Sequence, residues 1–135
     1  MRLYTSNEAK TIDVGTGSIW YSIYSTACIA LSENVKKSIP LAMDFLKTGE
    51  CAATNANQTK KQLSEIINAF SKLDPDKAIY NLHKPDVVPP WKGNIAQSVT
   101  SCANLYTTAD GKDLFSEVMD LLQYAQEKGV DIFAG

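Results

Sequence analysis

Residues 11–31 read TIDVGTGSIWYSIYSTACIAL, and along them the spacing of the apolar side chains changes from that of a strand to that of a helix. Apolar and polar positions alternate up to Val14, and from Ile19 onward the apolar residues fall on one helical face. The segment Gly15–Gly17 separates the two patterns, and Ser18 is the predicted helix cap. Because one short stretch contains both periods, we expect strands and helices in the same domain.

The segment before this stretch completes a β-hairpin. Residues 2–5 also alternate apolar and polar side chains, and residues 7–9 have the composition of a turn. The chain is therefore expected to open with two paired strands, over residues 2–5 and 11–14.

Two more helices are predicted between residues 40 and 75. After a polar connection over residues 34–38, Pro40 suits the first turn of a short helix that Gly49 ends. The pattern Thr59–Gln62 is typical of a reciprocal helix cap, and the helix that follows is expected to stop before Pro75. Both helices carry apolar side chains at helical spacing and are expected to pack on the sheet.

The C-terminal half combines short strands with a long irregular segment. Three strands are predicted here, at residues 78–82, 105–108 and 130–133. The segment His83–Cys102 contains three prolines and one glycine, which indicates a long ordered loop. Asp110 is the predicted cap of the last helix, which Gly129 ends.

The order of these elements indicates the fold class. It predicts an α+β fold, with a small mixed sheet of four or five strands and about four helices packed mainly on one face. Strands on either side of the last helix favour one parallel pair in the sheet. With 135 residues, the chain is expected to form a single domain over residues 1–135.

Composition and charge argue against several classes of partner. With 13 basic and 15 acidic residues the chain has no basic excess for phosphates, so no direct nucleic-acid partner is expected. The apolar stretch over residues 19–31 is too short and too interrupted to cross a bilayer, and the first residues lack the order of a secretory signal. We therefore expect a cytoplasmic protein without membrane contact, whose cysteines, Cys28, Cys51 and Cys102, are reduced.

The chain offers few groups for catalysis. His83 is the only histidine, and the first carboxylate that follows it is Asp86. The turn Gly15–Ser18 precedes a helix but lacks the lysine of a phosphate-binding loop. No catalytic residue, metal or cofactor is therefore expected. The alternative is a small-molecule-binding domain or an enzyme of unknown substrate, with a pocket near this turn and His83.

The segment Pro89–Asn94 has the least usual composition in the chain. Trp91 follows two rigid prolines, so its indole is expected either to fill a hole over the sheet or to be presented to a partner. This segment, followed by LYTTADGKDLF at residues 105–115, resembles the C-terminal half of immunity protein family 70 of bacterial polymorphic toxin systems. Leu73–Tyr80 is similar to the same family. The family pattern places glycine and an acidic residue after the tryptophan, where this chain has Lys92–Gly93.

The resemblance implies a small cytoplasmic protein that binds one cognate toxin domain, often a nuclease, delivered between competing bacteria, as in contact-dependent growth inhibition. It implies inhibition by occlusion of the toxin's active site and brings no catalytic residues. A tight complex calls for about 800 Å² of buried surface per partner. The predicted contacts are Asp86, Trp91 and Lys92 on the long loop, with Glu8 and Asp13 of the hairpin as a second surface.

Overall fold

Five α-helices and a three-stranded antiparallel sheet form the computed structural model, which describes residues 1–135. The strands are β1 (Arg2–Thr5), β2 (Thr11–Asp13) and β3 (Ile132–Ala134), arranged in the order β2-β1-β3. The helices are α1 (Gly17–Ala30), α2 (Glu33–Ser38), α3 (Pro40–Thr48), α4 (Ala56–Phe70) and α5 (Leu114–Lys128). Two short 3₁₀ turns lie at Ala53–Asn55 and Pro75–Lys77. The predicted α+β class is confirmed.

The two ends of the chain meet in the sheet, with β1 at its centre. Leu3 of β1 lies opposite Ile12 of β2, and Tyr4 lies opposite Phe133 of β3. The predicted opening hairpin and the predicted last strand are confirmed, whereas the mixed sheet of four or five strands is wrong. Every pair of strands is antiparallel. The predicted parallel pair required a strand of the sheet directly before α5, and no such strand is present.

Two predicted strands, at residues 78–82 and 105–108, are not formed. The second segment contributes only a single bridge, between Thr107 and Asp113. In the first segment, the backbone groups of Ile79 and Leu82 bond side-chain hydroxyls of α1 instead of a neighbouring strand. The alternation of apolar and polar residues here therefore belongs to a loop that packs on a helix, and not to a strand.

Two starts of helices in the N-terminal half differ from the prediction. Ser18 is not a cap, because α1 begins at Gly17 and its flanking residue, Thr16, makes no side-chain capping bond. The predicted polar connection over residues 34–38 is the helix α2. Its cap is Ser32, whose hydroxyl accepts the Val35 N–H at 3.2 Å.

The predicted cap at Thr59–Gln62 lies inside α4, which begins at Ala56. The Gln62 side chain is buried and accepts the Ala42 N–H at 3.1 Å, so it satisfies the first turn of α3 rather than the start of its own helix. The Thr59–Gln62 pattern therefore reflects a contact between α4 and α3 and not a cap of α4.

The cap of α5 is Asp113 and not Asp110. The Asp113 carboxylate accepts the Ser116 N–H at 3.0 Å, which is the expected geometry of a helix cap. The Asp110 carboxylate instead accepts the hydroxyl of Thr108, which lowers the pKa of Asp110 below its ordinary value. The predicted end of the helix at Gly129 is confirmed.

The helices cover one face of the sheet. Leu3 and Ile12 are buried beneath them, whereas Thr11 is exposed. In the helical layer, Phe70 at the end of α4 and Phe115 at the start of α5 meet edge to face, with ring centroids 5.8 Å apart. The chain between α4 and α5 therefore leaves and returns at the same end of this helix pair.

Candidate functional site

The segment Ala78–Asp113, called the long loop below, contains no helix and no regular strand. The predicted loop over residues 83–102 is confirmed as part of it. Its buried backbone groups require partners that a sheet would otherwise supply. At the start of the loop, those partners are side chains of α1.

Three hydroxyls of α1 hold the start of the long loop. Ile79 donates its N–H to Thr26 Oγ1 at 2.9 Å, and its carbonyl accepts the Ser22 hydroxyl at 2.7 Å. Leu82 donates its N–H to Ser25 Oγ at 3.0 Å. All three hydroxyl residues are fully buried. In the sequence these residues interrupt an apolar stretch, and their spacing of three and four residues, which places Ser22 with Ser25 and Thr26 on one helical face, is the signal that could have predicted this contact.

Tyr106 joins the end of the long loop to the same hydroxyls. Its phenol oxygen lies 3.0 Å from Ser22 Oγ and 3.2 Å from Thr26 Oγ1. The residue is only 2% exposed, and burial raises the pKa of its phenol to about 12. The phenol is therefore neutral at physiological pH and can donate a hydrogen bond in this cluster.

Trp91 anchors the middle of the long loop through aromatic contacts. Its ring packs edge to face on Tyr80 and on Tyr106, with centroids 5.8 Å apart in both pairs. Tyr106 in turn contacts Phe115, which connects the loop to the helical core. The indole is half-buried. Trp91 thus packs against the core and still leaves part of its surface accessible.

Asp86, Trp91 and Lys92 lie together around one cleft of about 250 Å³. Two valines in the same lining are unusually exposed, Val87 at 39% and Val88 at 60%. Exposed apolar side chains next to charged ones have the composition of a protein-binding surface. The three loop residues predicted from the sequence are therefore neighbours in space.

Glu8 and Asp13 do not line this cleft. Glu8 lies in the hairpin turn with a φ of 60° and lines a hollow beside Thr11 and Tyr4. Asp13 accepts the Gly15 N–H with its carboxylate at 2.9 Å. The hairpin residues therefore belong to a surface separate from that of Trp91.

The groups considered for small-molecule chemistry are not gathered around a pocket. None of the five clefts is lined by the Gly15–Ser18 turn or by His83. His83 is exposed and stacks on Tyr21 with centroids 6.4 Å apart. No group of three or more His, Cys, Asp or Glu side chains could hold a metal ion. The pocket that the small-molecule alternative predicted beside this turn and His83 is therefore not formed.

Two of the three cysteines, Cys51 and Cys102, lack the surroundings of a nucleophile. All three are free, and Cys51 and Cys102 are buried. Burial raises the pKa of Cys51 above its ordinary value and that of Cys102 to about 12. Both thiols are therefore protonated at neutral pH, whereas a catalytic cysteine requires the thiolate.

The fold is that of a small α+β domain with one long ordered loop. The chain belongs to the immunity protein 70 family, whose family model matches residues 4–133. This match confirms the resemblance inferred from residues 89–115. No curated protein and no solved structure matches the chain. None of its helices has the length and apolar composition needed to cross a membrane.

Proposed function

We propose that this protein binds one cognate toxin domain in the cytoplasm and neutralises it by covering the toxin's active site. The observation that carries the proposal is the family match over residues 4–133. The protein acts as a stoichiometric inhibitor without catalytic residues or a cofactor. Its partner is the toxin domain of a polymorphic toxin system, such as one that mediates contact-dependent growth inhibition.

The cleft at Trp91 is the proposed centre of the toxin interface. Val88 and the accessible part of Trp91 provide apolar area, and Asp86 and Lys92 provide charged groups at its border. Interfaces of this kind concentrate their binding energy in a few buried aromatic and apolar anchors. Since a stable complex needs about 800 Å² per partner, the contact extends well beyond the cleft itself.

Order in the long loop supports this role. Binding by a flexible loop costs about 0.5–1.5 kcal/mol for each side chain that becomes immobilised. Here the hydroxyls of α1 and the contacts of Trp91 with Tyr80 and Tyr106 already fix the loop in the free protein. A preorganised surface therefore loses less entropy when the toxin binds.

A single exposed side chain tests this interface without disturbing the fold. We expect Val88→Asp to weaken binding of the toxin domain at least tenfold, because the carboxylate would be buried at the apolar centre of the interface. The ligand is the C-terminal toxin domain encoded directly upstream of this gene, if there is one, inactivated in its own active site, and calorimetric titration is the measurement.

Val35→Asp is the matched control, since Val35 is 41% exposed on α2 and does not line the cleft. It is expected to bind within twofold of the wild type. Equal affinities for Val88→Asp and the wild type would contradict the placement of the interface at the cleft. Absence of any complex with the wild-type protein would contradict the proposed function.

A further inference from the structure

The two outer edges of the sheet differ in their backbone hydrogen bonds. At β3, Ile132 exchanges two bonds with Cys51, with N–O distances of 2.8 and 3.0 Å, so this edge is occupied at Ile132. At β2, no such partner strand is present. An edge strand with unpaired N–H and C=O groups is a template for the addition of another strand.

The pairing of β1 with β2 determines which groups of β2 point outward. Thr5 donates its N–H to the Lys10 carbonyl and Val14 donates its N–H to the Met1 carbonyl, both at 3.0 Å. Because bonded and non-bonded pairs alternate in an antiparallel ladder, the backbone groups of Thr11 and Asp13 face away from β1. The Asp13 carbonyl accepts the Ala109 N–H at 2.9 Å.

Three outward backbone groups of β2 remain without a partner. They are the N–H and C=O of Thr11 and the N–H of Asp13. Thr11 and Asp13 are both exposed, but Ala109 of the long loop contacts the edge at Asp13, so the open part of the edge lies at Thr11. The free edge is short and is centred on Thr11.

The free edge borders a negatively charged groove between β2 and α5. The groove has a volume of about 330 Å³, and Thr11 and Ile12 form part of its lining. Its charged side chains are Glu117, Asp120, Glu127 and Lys10. None of the three carboxylates forms a salt bridge, and the Lys10 ammonium lies over the Tyr124 ring, 5.5 Å from its centroid. The groove therefore has more acidic groups than its one cation can balance.

We propose that the edge of β2 takes up an extended basic segment of the toxin domain as a fourth strand of the sheet. The segment would exchange backbone hydrogen bonds with Thr11, and its Lys or Arg side chains would face Glu117, Asp120 and Glu127. This inference rests on the proposed function for its partner. It adds a second contact surface, distinct from the cleft at Trp91.

A second copy of this chain fits the same edge less well. Pairing of two β2 edges about a two-fold axis would place two identical acidic grooves next to each other. Like charges brought together in this way oppose association. Charge complementarity therefore favours a basic partner.

Proline at position 11 tests the backbone contact. We expect Thr11→Pro to weaken toxin binding at least tenfold, since it removes the free N–H, and to leave the fold intact, since that N–H has no partner within the protein. Thr11→Val keeps the N–H and is the matched control, expected to bind within twofold of the wild type. Calorimetry measures affinity, and circular dichroism checks the fold of each variant.

Amide hydrogen exchange of the wild-type protein provides a test that does not depend on a variant. The Thr11 amide is expected to exchange at least tenfold more slowly in the complex with the inactivated toxin domain than in the free protein.

Glu117→Gln combined with Asp120→Asn should also reduce the salt dependence of affinity, whereas Glu65→Gln on the exposed side of α4 should not.

The outcomes separate this inference from the proposed function. Formation of a complex in which the Thr11 amide stays unprotected would contradict strand addition alone. If protection of the Thr11 amide in the free protein increased with protein concentration, the edge would bind a second copy of this chain. That result would also overturn the inference. Failure of the wild-type protein to form any complex would contradict both proposals together.

Discussion

At Gly49 the chain adopts the left-handed conformation, with a φ of 75°, where α3 ends. A Cβ atom added there would lie 2.7 Å from the Cβ of Ala134 in β3. This glycine therefore serves two purposes. It permits the backbone turn, and it allows the end of α3 to approach the sheet closely.

Alanine at this position is expected to destabilise the protein by about 2 kcal/mol or more, because backbone strain and overpacking add. Gly129→Ala is the matched control. Gly129 also ends a helix with a positive φ, of 64°, but no atom lies within 4 Å of its added Cβ. We expect that control to cost about 1 kcal/mol, from strain alone. Urea denaturation of both variants measures the difference, and equal costs would contradict a close approach at Gly49.

At the scale of single elements, the start of α5 can be tested by comparing two aspartates. Asp113→Ala removes the carboxylate that accepts the Ser116 N–H and is expected to lower the free energy of unfolding by about 1 kcal/mol. Asp110→Ala leaves that cap in place and should have a smaller effect. Thermal denaturation of the two variants provides the comparison. A larger loss for Asp110→Ala would show that the cap is assigned to the wrong residue.

The elements that the sequence predicts correctly are those set by local patterns. The opening hairpin, the helix from Pro40 to Gly49 and the end of the last helix depend on periodicity, proline and glycine within a few residues. The predictions are wrong where a partner distant in sequence determines the local structure. Leu82 bonds Ser25, which lies 57 positions away, and this contact takes the place of strand pairing.

The candidate surface shows the same division between local and distant contacts. Asp86, Trp91 and Lys92 are close in sequence, so their shared cleft could be expected from the loop alone. The position of Glu8 and Asp13 relative to that loop depends on the whole fold and could not be predicted from spacing. The free edge of β2 could not be predicted either, because a sheet of four or five strands in unknown order leaves open which strands lie at its edges.

For the whole molecule, the buried weak acids predict a loss of stability at high pH. Burial raises the pKa of Tyr106 from 10.0 to about 12 and that of Cys102 from 9.0 to about 12. Above pH 9 the unfolded chain therefore binds fewer protons than the folded chain. The free energy of unfolding is expected to be unaffected by these groups below pH 9 and to decrease steadily as the pH rises toward 12.

Urea denaturation between pH 8 and pH 11 measures this dependence. The double variant Tyr106→Phe, Cys102→Ala lacks both acids, so its free energy of unfolding should fall less steeply with pH than that of the wild type. An identical slope in the two proteins would contradict the assignment of the alkaline loss to these buried groups.

The proposed function requires that this protein protects a cell by binding a toxin domain. Its most direct test uses the active C-terminal toxin domain encoded directly upstream, if there is one: growth of bacteria that produce this domain is measured with and without this protein. We predict normal growth when both proteins are produced and recovery of the two proteins as one complex. Arrest of growth despite an excess of soluble, folded protein would contradict the claim.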